Sequence, residues 1–160
     1  YRSLQVDDFY CQCVGTGTIA DDGYCILWFG AAEKGEIDKL TYALSKGVNI
    51  NIKNYANKTA LILAAEENQT EVIDFLMQVS SVDIDAKDDD YGTALAEAAA
   101  RGHLNAVISL LSYGANPTVI SDVTPLYIAA NKKYTEVVLE LVKLKEILKN
   151  FSKHKLRQIK

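Results

Sequence analysis

Residues 93–118 read TALAEAAARGHLNAVISLLSYGANPT, and this stretch decides the fold. Thr93 is placed to cap a helix, because its hydroxyl can accept from a backbone amide left unpaired at a helix start. The Ala- and Leu-rich residues after it are strong helix formers. Gly102 ends that helix after about two turns, since glycine enters the left-handed region without steric cost. Leu104, Val107, Leu110 and Leu111 then mark the apolar stripe of a second helix, and Gly114 supplies its stop. The stretch predicts a short helix, a turn, a longer helix and a loop. The small pair Ala98-Ala99 allows the two helices and a neighbouring unit to approach closely.

Outward from this stretch the same marks recur. Alanine pairs stand at Ala31-Ala32, Ala64-Ala65, Ala98-Ala99 and Ala129-Ala130, spaced by 33, 34 and 31 residues. Thr59, Thr93 and Thr124 precede their pairs by five residues, and Leu61, Leu95 and Leu126 by three. Leu40, Ile73, Val107 and Val138 follow the start of each pair by nine. At Thr124 the next residue is Pro125, which suits the first helical position because its missing amide hydrogen has no partner there anyway. A period of this length marks stacked repeats, in which one unit cannot bury its own apolar face and neighbouring units do so for it.

The pattern resembles the ankyrin repeat over about residues 24–149. Thr124-Pro125-Leu126-Tyr127-Ile128-Ala129-Ala130 is closest to that family's signature, and Gly102-His103, Leu110-Leu111 and Gly114-Ala115-Asn116 to the second half of its unit. The resemblance implies an all-α fold: an ankyrin-type helix-turn-helix repeat solenoid with projecting β-hairpin loops and about four repeats, at 23–49, 50–83, 84–116 and 117–149. Residues 1–22 then form an N-terminal segment, either a half-repeat or the remnant of a preceding domain. Residues 150–160 form a basic C-terminal tail or cap, and the apolar stripe through Val138, Leu141, Leu144, Leu148 and Phe151 predicts a last helix that runs long. Departures are visible. Phe29, Ile62, Ala96 and Tyr127 stand where the signature has His, Asn68 and Lys133 replace the inter-helix glycine kept at Gly35 and Gly102, and Ser121-Asp122-Val123 predicts a stunted fourth hairpin.

Composition sets the outer limits. With 160 residues, 49% of them hydrophobic and 24% charged, the chain has the make-up of a globular domain, not of a disordered one. No apolar run approaches the roughly 18 residues that span a bilayer. The chain starts at Tyr1 without an initiator Met or a secretory signal, which reads as a piece of something longer. Residues 143–160 carry seven Lys or Arg against Glu146 alone, leaving 10 basic and 20 acidic residues elsewhere. An acidic body repels phosphate backbones, so nucleic acid is disfavoured as a partner of the array. Cys11, Cys13 and Cys25 crowd one end in an odd number, which fits a reducing compartment: the cytoplasm, or the inside of a host cell if the chain comes from a pathogen.

Chemistry-bearing patterns are weak. Cys11-Gln12-Cys13 with Cys25 lacks the spacing of a zinc site, Gly15-x-Gly17 lacks the rest of a phosphate loop, and Asp88-Asp89-Asp90 lacks the ligand spacing of a calcium loop. His103 falls at a helix-turn position where the resemblance implies a structural role. The expectation is therefore no enzyme, no cofactor, no metal and no small-molecule substrate. What the resemblance implies instead is a protein-protein interaction module, holding its partner on a concave surface of hairpin tips and first helices. Position by position, that surface falls on Lys53, Tyr55, Asn57 and Lys58, on Lys87, Asp89, Asp90 and Tyr91, and on the first-helix ends Glu66, Glu67, Arg101, Asn131 and Lys132. Tyr55 and Tyr91 are the preferred anchors, since aromatic residues dominate interface energetics and a tip offers them little core. Asp88-Asp89-Asp90 is expected as a solvated charge cluster there. The competing expectation is a targeting or substrate-recruiting arm of a larger enzyme, or a host-directed effector of the kind in which intracellular pathogens carry such arrays.

Overall fold

The computed structural model describes residues 20–118 and 124–157, and within them every regular element is a helix. In chain order these are α1 (Ala20–Lys34), α2 (Ile37–Ser45), α3 (Ala60–Glu66), α4 (Thr70–Met77), α5 (Ala94–Arg101), α6 (Leu104–Ser112), α7 (Pro125–Asn131) and α8 (Thr135–Arg157). The reading of residues 1–22 as a half-repeat or the remnant of a preceding domain falls, up to residue 19, outside the described residues, as does the stunted hairpin at 121–123, while residues 20–22 open α1.

The expected caps form. Thr59, Thr93 and Thr124 each accept a hydrogen bond through Oγ1 from the amide three residues on, at 3.3 Å from Ile62, 3.2 Å from Ala96 and 3.2 Å from Tyr127. Short turns then fold each first helix back onto its second. All four turns pass through a residue of positive φ, Gly35 at 79°, Asn68 at 55°, Gly102 at 72° and Lys133 at 62°, so the two substitutions of glycine leave the backbone path unchanged. Gly102 is also needed for space. A Cβ there would stand 2.7 Å from the Tyr134 ring.

Two rows result: α1, α3, α5 and α7 pack in sequence, and α2, α4, α6 and α8 pack behind them. The core runs along the seam between the rows. Ala31, Ala32, Ala64, Ala65, Ala98, Ala99 and Ala129 are buried there, with Leu40, Ile73 and Val107 from the second row and Trp28, Leu61 and Leu95 at the position three before each pair. Burial fails where stacking stops. Phe29, Ile62 and Ala96 are buried, whereas Tyr127 at the same position is 62% exposed, and Ala130 is exposed although its three counterparts are buried. The last helix is long as expected, 23 residues against eight or nine for α2, α4 and α6.

Candidate functional site: hairpin tips and first-helix ends

The loops that enter α3 and α5 carry one turn built twice. Asn54 and Asp88 stand five residues before the capping threonines, and each closes the same ring. The Asn54 amide donates to the Lys58 carbonyl at 3.0 Å, and the Asn57 amide to the Asn54 carbonyl at 2.9 Å; the Asp88 pair with Gly92 and the Tyr91–Asp88 bond repeat this at 3.0 and 3.1 Å. Asn54 Oδ1 accepts from the amides of Ala56 and Lys58, and Asp88 Oδ1 from those of Asp90 and Gly92 at 3.0 and 2.7 Å. A short Asn or Asp side chain serves this purpose because it reaches its own backbone two and four residues on. Asp88 is only 7% exposed, which corrects the expectation of a solvated Asp88-Asp89-Asp90 cluster: its carboxylate is turned inward to hold the turn, and only Asp89 and Asp90 are displayed.

Each turn ends on a left-handed residue, Asn57 at φ 55° and Tyr91 at φ 62°. Tyr91 therefore occupies the place of Asn57, and Tyr55 the place of Asp89. The tyrosines are displayed at 70% and 63% exposure, but from different corners of the turn. Neighbouring tips are also tied together. Asn57 Nδ2 donates to Asp89 Oδ1, the Asp89 amide donates to the Ala56 carbonyl at 3.3 Å, and Lys53 Nζ reaches the Lys87 carbonyl at 2.8 Å.

Below the tips lies a charged cluster on the first helices. Glu66 is 7% exposed and receives both Lys58 Nζ and Arg101 Nη2, the latter at 2.9 Å. This corrects its placement among the exposed first-helix ends: two cations from the adjoining tip and the next unit close over it. Burial pushes the Glu66 carboxyl up, but the hydrogen bonds from Lys58 and Arg101 outweigh that and hold it below the usual carboxylate range. Burial pulls Lys58 down, and the same hydrogen bond with Glu66 overrides it, so the ammonium is held above its ordinary value. Glu97 moves the other way. Its own burial raises its pKa and the neighbouring Glu66 charge adds to this, while Arg101 lies 3.9 Å away. Glu33 is raised by burial and by Glu67 and Glu66.

Glu97 was not singled out from the sequence, yet a signal existed, since the same register holds Leu63 in the preceding unit and Ile128 in the following one. Room for its carboxyl comes from Gly92 in place of Lys58, where a Cβ would stand 2.7 Å from Glu97 Oε1. Of the remaining expected positions, Glu67, Arg101, Asn131 and Lys132 are exposed and Lys87 is half-buried. Lys132 Nζ donates to the Ala100 carbonyl at 2.7 Å, and the His103 ring nitrogen Nε2 bonds the Glu66 carbonyl at 2.9 Å, so both join one unit to the one before.

What this arrangement can do is present polar and aromatic side chains from a backbone fixed across units. Cys25 is buried and disulfide-bonded, so its sulfur is not a free thiolate for a metal or a nucleophilic step. Among the described residues no three His, Cys, Asp or Glu side chains are placed to share a metal ion, and no helix is long and apolar enough to cross a membrane.

Comparison with known proteins agrees with this geometry. A sequence model described as ankyrin repeats (3 copies) matches residues 10–88, 28–121 and 80–153. The chain is 29% identical over 87 residues to the human transient receptor potential cation channel subfamily A member 1, covering 54% of the chain and 8% of that protein. It is 40% identical over 47 residues to the probable E3 ubiquitin-protein ligase XBOS33 of Oryza sativa subsp. japonica, covering 29% of the chain and 9% of that protein. The matches thus span less than a tenth of either relative's length. With family matches running from residue 10 to residue 153, the chain belongs to the ankyrin-repeat family.

Proposed function

We propose that this array binds a partner protein across its hairpin tips and first-helix ends, with Tyr55 and Tyr91 as anchors. The observation that carries the reading is the display of two large aromatic side chains, 70% and 63% exposed, on turns whose backbone is tied into the neighbouring unit. Aromatic residues on a pre-ordered backbone lose little entropy on docking and dominate interface energetics. Asp89, Asp90, Glu67, Arg101, Asn131 and Lys132 add a polar rim of mixed charge, and Lys53, Asn57, Lys58, Lys87 and Glu66 stiffen it from below. The role is one of recognition, with no reaction assigned to the array.

The test is a pull-down with the intact array, repeated with Tyr55→Ala and with Tyr91→Ala. Proteins held by the wild type are expected to be lost on the order of ten-fold or more, the effect of truncating an interface anchor, while the melting temperature moves by no more than a few degrees. Equal retention by all three chains, or loss of folding in both variants, would overturn the reading.

A second reading rests on the relatives. Both are far longer than the matched stretch, and one is named as a probable ubiquitin ligase, so the same surface can serve as the recruiting arm of a larger enzyme or effector. The reading frame upstream of Tyr1 decides: a catalytic domain there supports the arm, and further repeats support a plain interaction scaffold.

A further inference from the structure

We propose that the C-terminal part of α8 is an interfacial helix that docks on anionic phospholipid surfaces. α8 has 23 residues where α6, beside it, has nine. The excess of 14 residues adds about 21 Å of helix at 1.5 Å per residue. Its early turns belong to the stack: Val137 and Leu141 are buried and Leu144 is half-buried. The same stripe continues in the sequence with Leu148 and Phe151, at the spacing i, i+4, i+7, i+11, i+14 that keeps one face of a helix apolar, and Ile147 joins it. Lys145, Lys149, Lys153 and Arg157 recur every four residues, a spacing that winds from the edge of that stripe round to its opposite side, and Lys145 and Lys149 are exposed.

Charge says which surface fits. From residue 143 to 160 there are seven Lys or Arg against Glu146 alone. Such a helix, apolar on one side and basic on the other, matches the boundary between acyl chains and acidic headgroups. Nucleic acid would engage the basic side of such a helix and make no use of its apolar side. The acidic body, with 20 carboxylates against 10 cations, would be repelled by the same bilayer. An overhang of about 21 Å exceeds the roughly 10 Å Debye length at 0.1 M salt, so that repulsion is largely screened. The contact is peripheral and leaves the tips of the array free.

The test uses the whole chain and co-sedimentation with vesicles of equal parts phosphatidylserine and phosphatidylcholine, against pure phosphatidylcholine. Binding is expected to the first only, and to fade between about 0.05 M and 0.5 M salt. Each neutralised lysine should lower partitioning about five-fold, the equivalent of about 1 kcal/mol per basic residue near the surface. Lys149→Gln with Lys153→Gln should therefore cost about 25-fold, and Phe151→Ser should abolish binding at unchanged net charge. Tyr55→Ala should leave it unaltered, which separates this contact from the proposed partner surface. The inference is overturned by no binding to either vesicle, by equal binding to both, by persistence in the lysine or Phe151 variants, or by retention of an acidic protein or duplex DNA without vesicles. Melting curves of each variant confirm that the stack itself is intact.

Discussion

The turn from Asn54 to Thr59 and the turn from Asp88 to Thr93 share one set of backbone hydrogen bonds and carry two sets of side chains. Where the first has Tyr55, Asn57 and Lys58, the second has Asp89, Tyr91 and Gly92. The Asx residue at the start and the left-handed conformation near the end are fixed by backbone geometry. The side chains that the other positions carry are not, and even the left-handed position holds Asn57 in one tip and Tyr91 in the other. Lys58 is used below the surface, clamping Glu66, and Gly92 opens the corresponding space for Glu97. The repeat thus holds backbone constant and lets each tip present its own chemistry, which is what a recognition surface requires.

The largest way to break the comparison is to remove the floor that both tips share. Leu95 is fully buried in α5, which packs against α3 on one side and α7 on the other. Leu95→Ala should cost about 2–5 kcal/mol through the cavity it leaves, measured by urea unfolding, with both tips lost in one transition. Next in size is the Asx residue itself. Asp88→Ala removes two charge-assisted hydrogen bonds from a buried site and should cost about 1.5–3 kcal/mol, whereas Asn54→Ala removes two neutral ones from a half-buried site and should cost about 0.5–1.5 kcal/mol. Equal losses would mean that the charge of Asp88 contributes nothing.

A third contrast lies just beneath, between Glu66 and Glu97. The folded-state pKa of Glu66 is depressed, so its ion pairs stabilise the fold above the unfolded value, about 4.3 for Glu, and that contribution is lost as pH falls through the lower folded value. The pKa of Glu97 is raised, so its ionisation opposes folding increasingly as pH rises through the folded value. Glu66→Gln should therefore cost about 1–2 kcal/mol at pH 7 and Glu97→Gln should gain about 0.5–1 kcal/mol there. Both differences should shrink towards pH 3 in thermal melts. The same sign for both variants at pH 7 would show that the two carboxyls are not opposed.

Most of the fold was legible because the repeat states it four times. The threonine caps form, the alanine pairs and the aliphatic residue nine positions on are buried in the first three units, and even Asn68 and Lys133 follow the glycine path; in the fourth unit Ala130 is exposed and Val138 half-buried. The tips were legible as places where side chains are displayed, and Tyr55 and Tyr91 are indeed exposed. What a linear reading could not supply is convergence. Glu66 reads as one more charged residue at a helix end, and its burial depends on Lys58, eight residues back, and Arg101, one unit on, reaching the same oxygen. Asp88 reads as one of three aspartates, and only its match to Asn54, five before the capping threonine, marks it as the one turned inward.

The smallest expected effect is the most discriminating. Tyr91 holds φ at 62°, in the region that favours glycine and tolerates asparagine, and the equivalent residue of the other tip is Asn57 at 55°. A bulky side chain there carries a backbone cost that asparagine largely avoids. Tyr91→Asn should accordingly raise stability by about 0.5–1 kcal/mol, and Asn57→Tyr should lower it by a similar amount. If Tyr91 is kept for display, Tyr91→Asn will melt higher than the wild type and yet lose the proteins that the intact array retains. Stability and binding would then move in opposite directions at one residue. A variant that melts lower instead would place the value of Tyr91 in packing against its own turn, and would leave Tyr55 as the anchor of the surface.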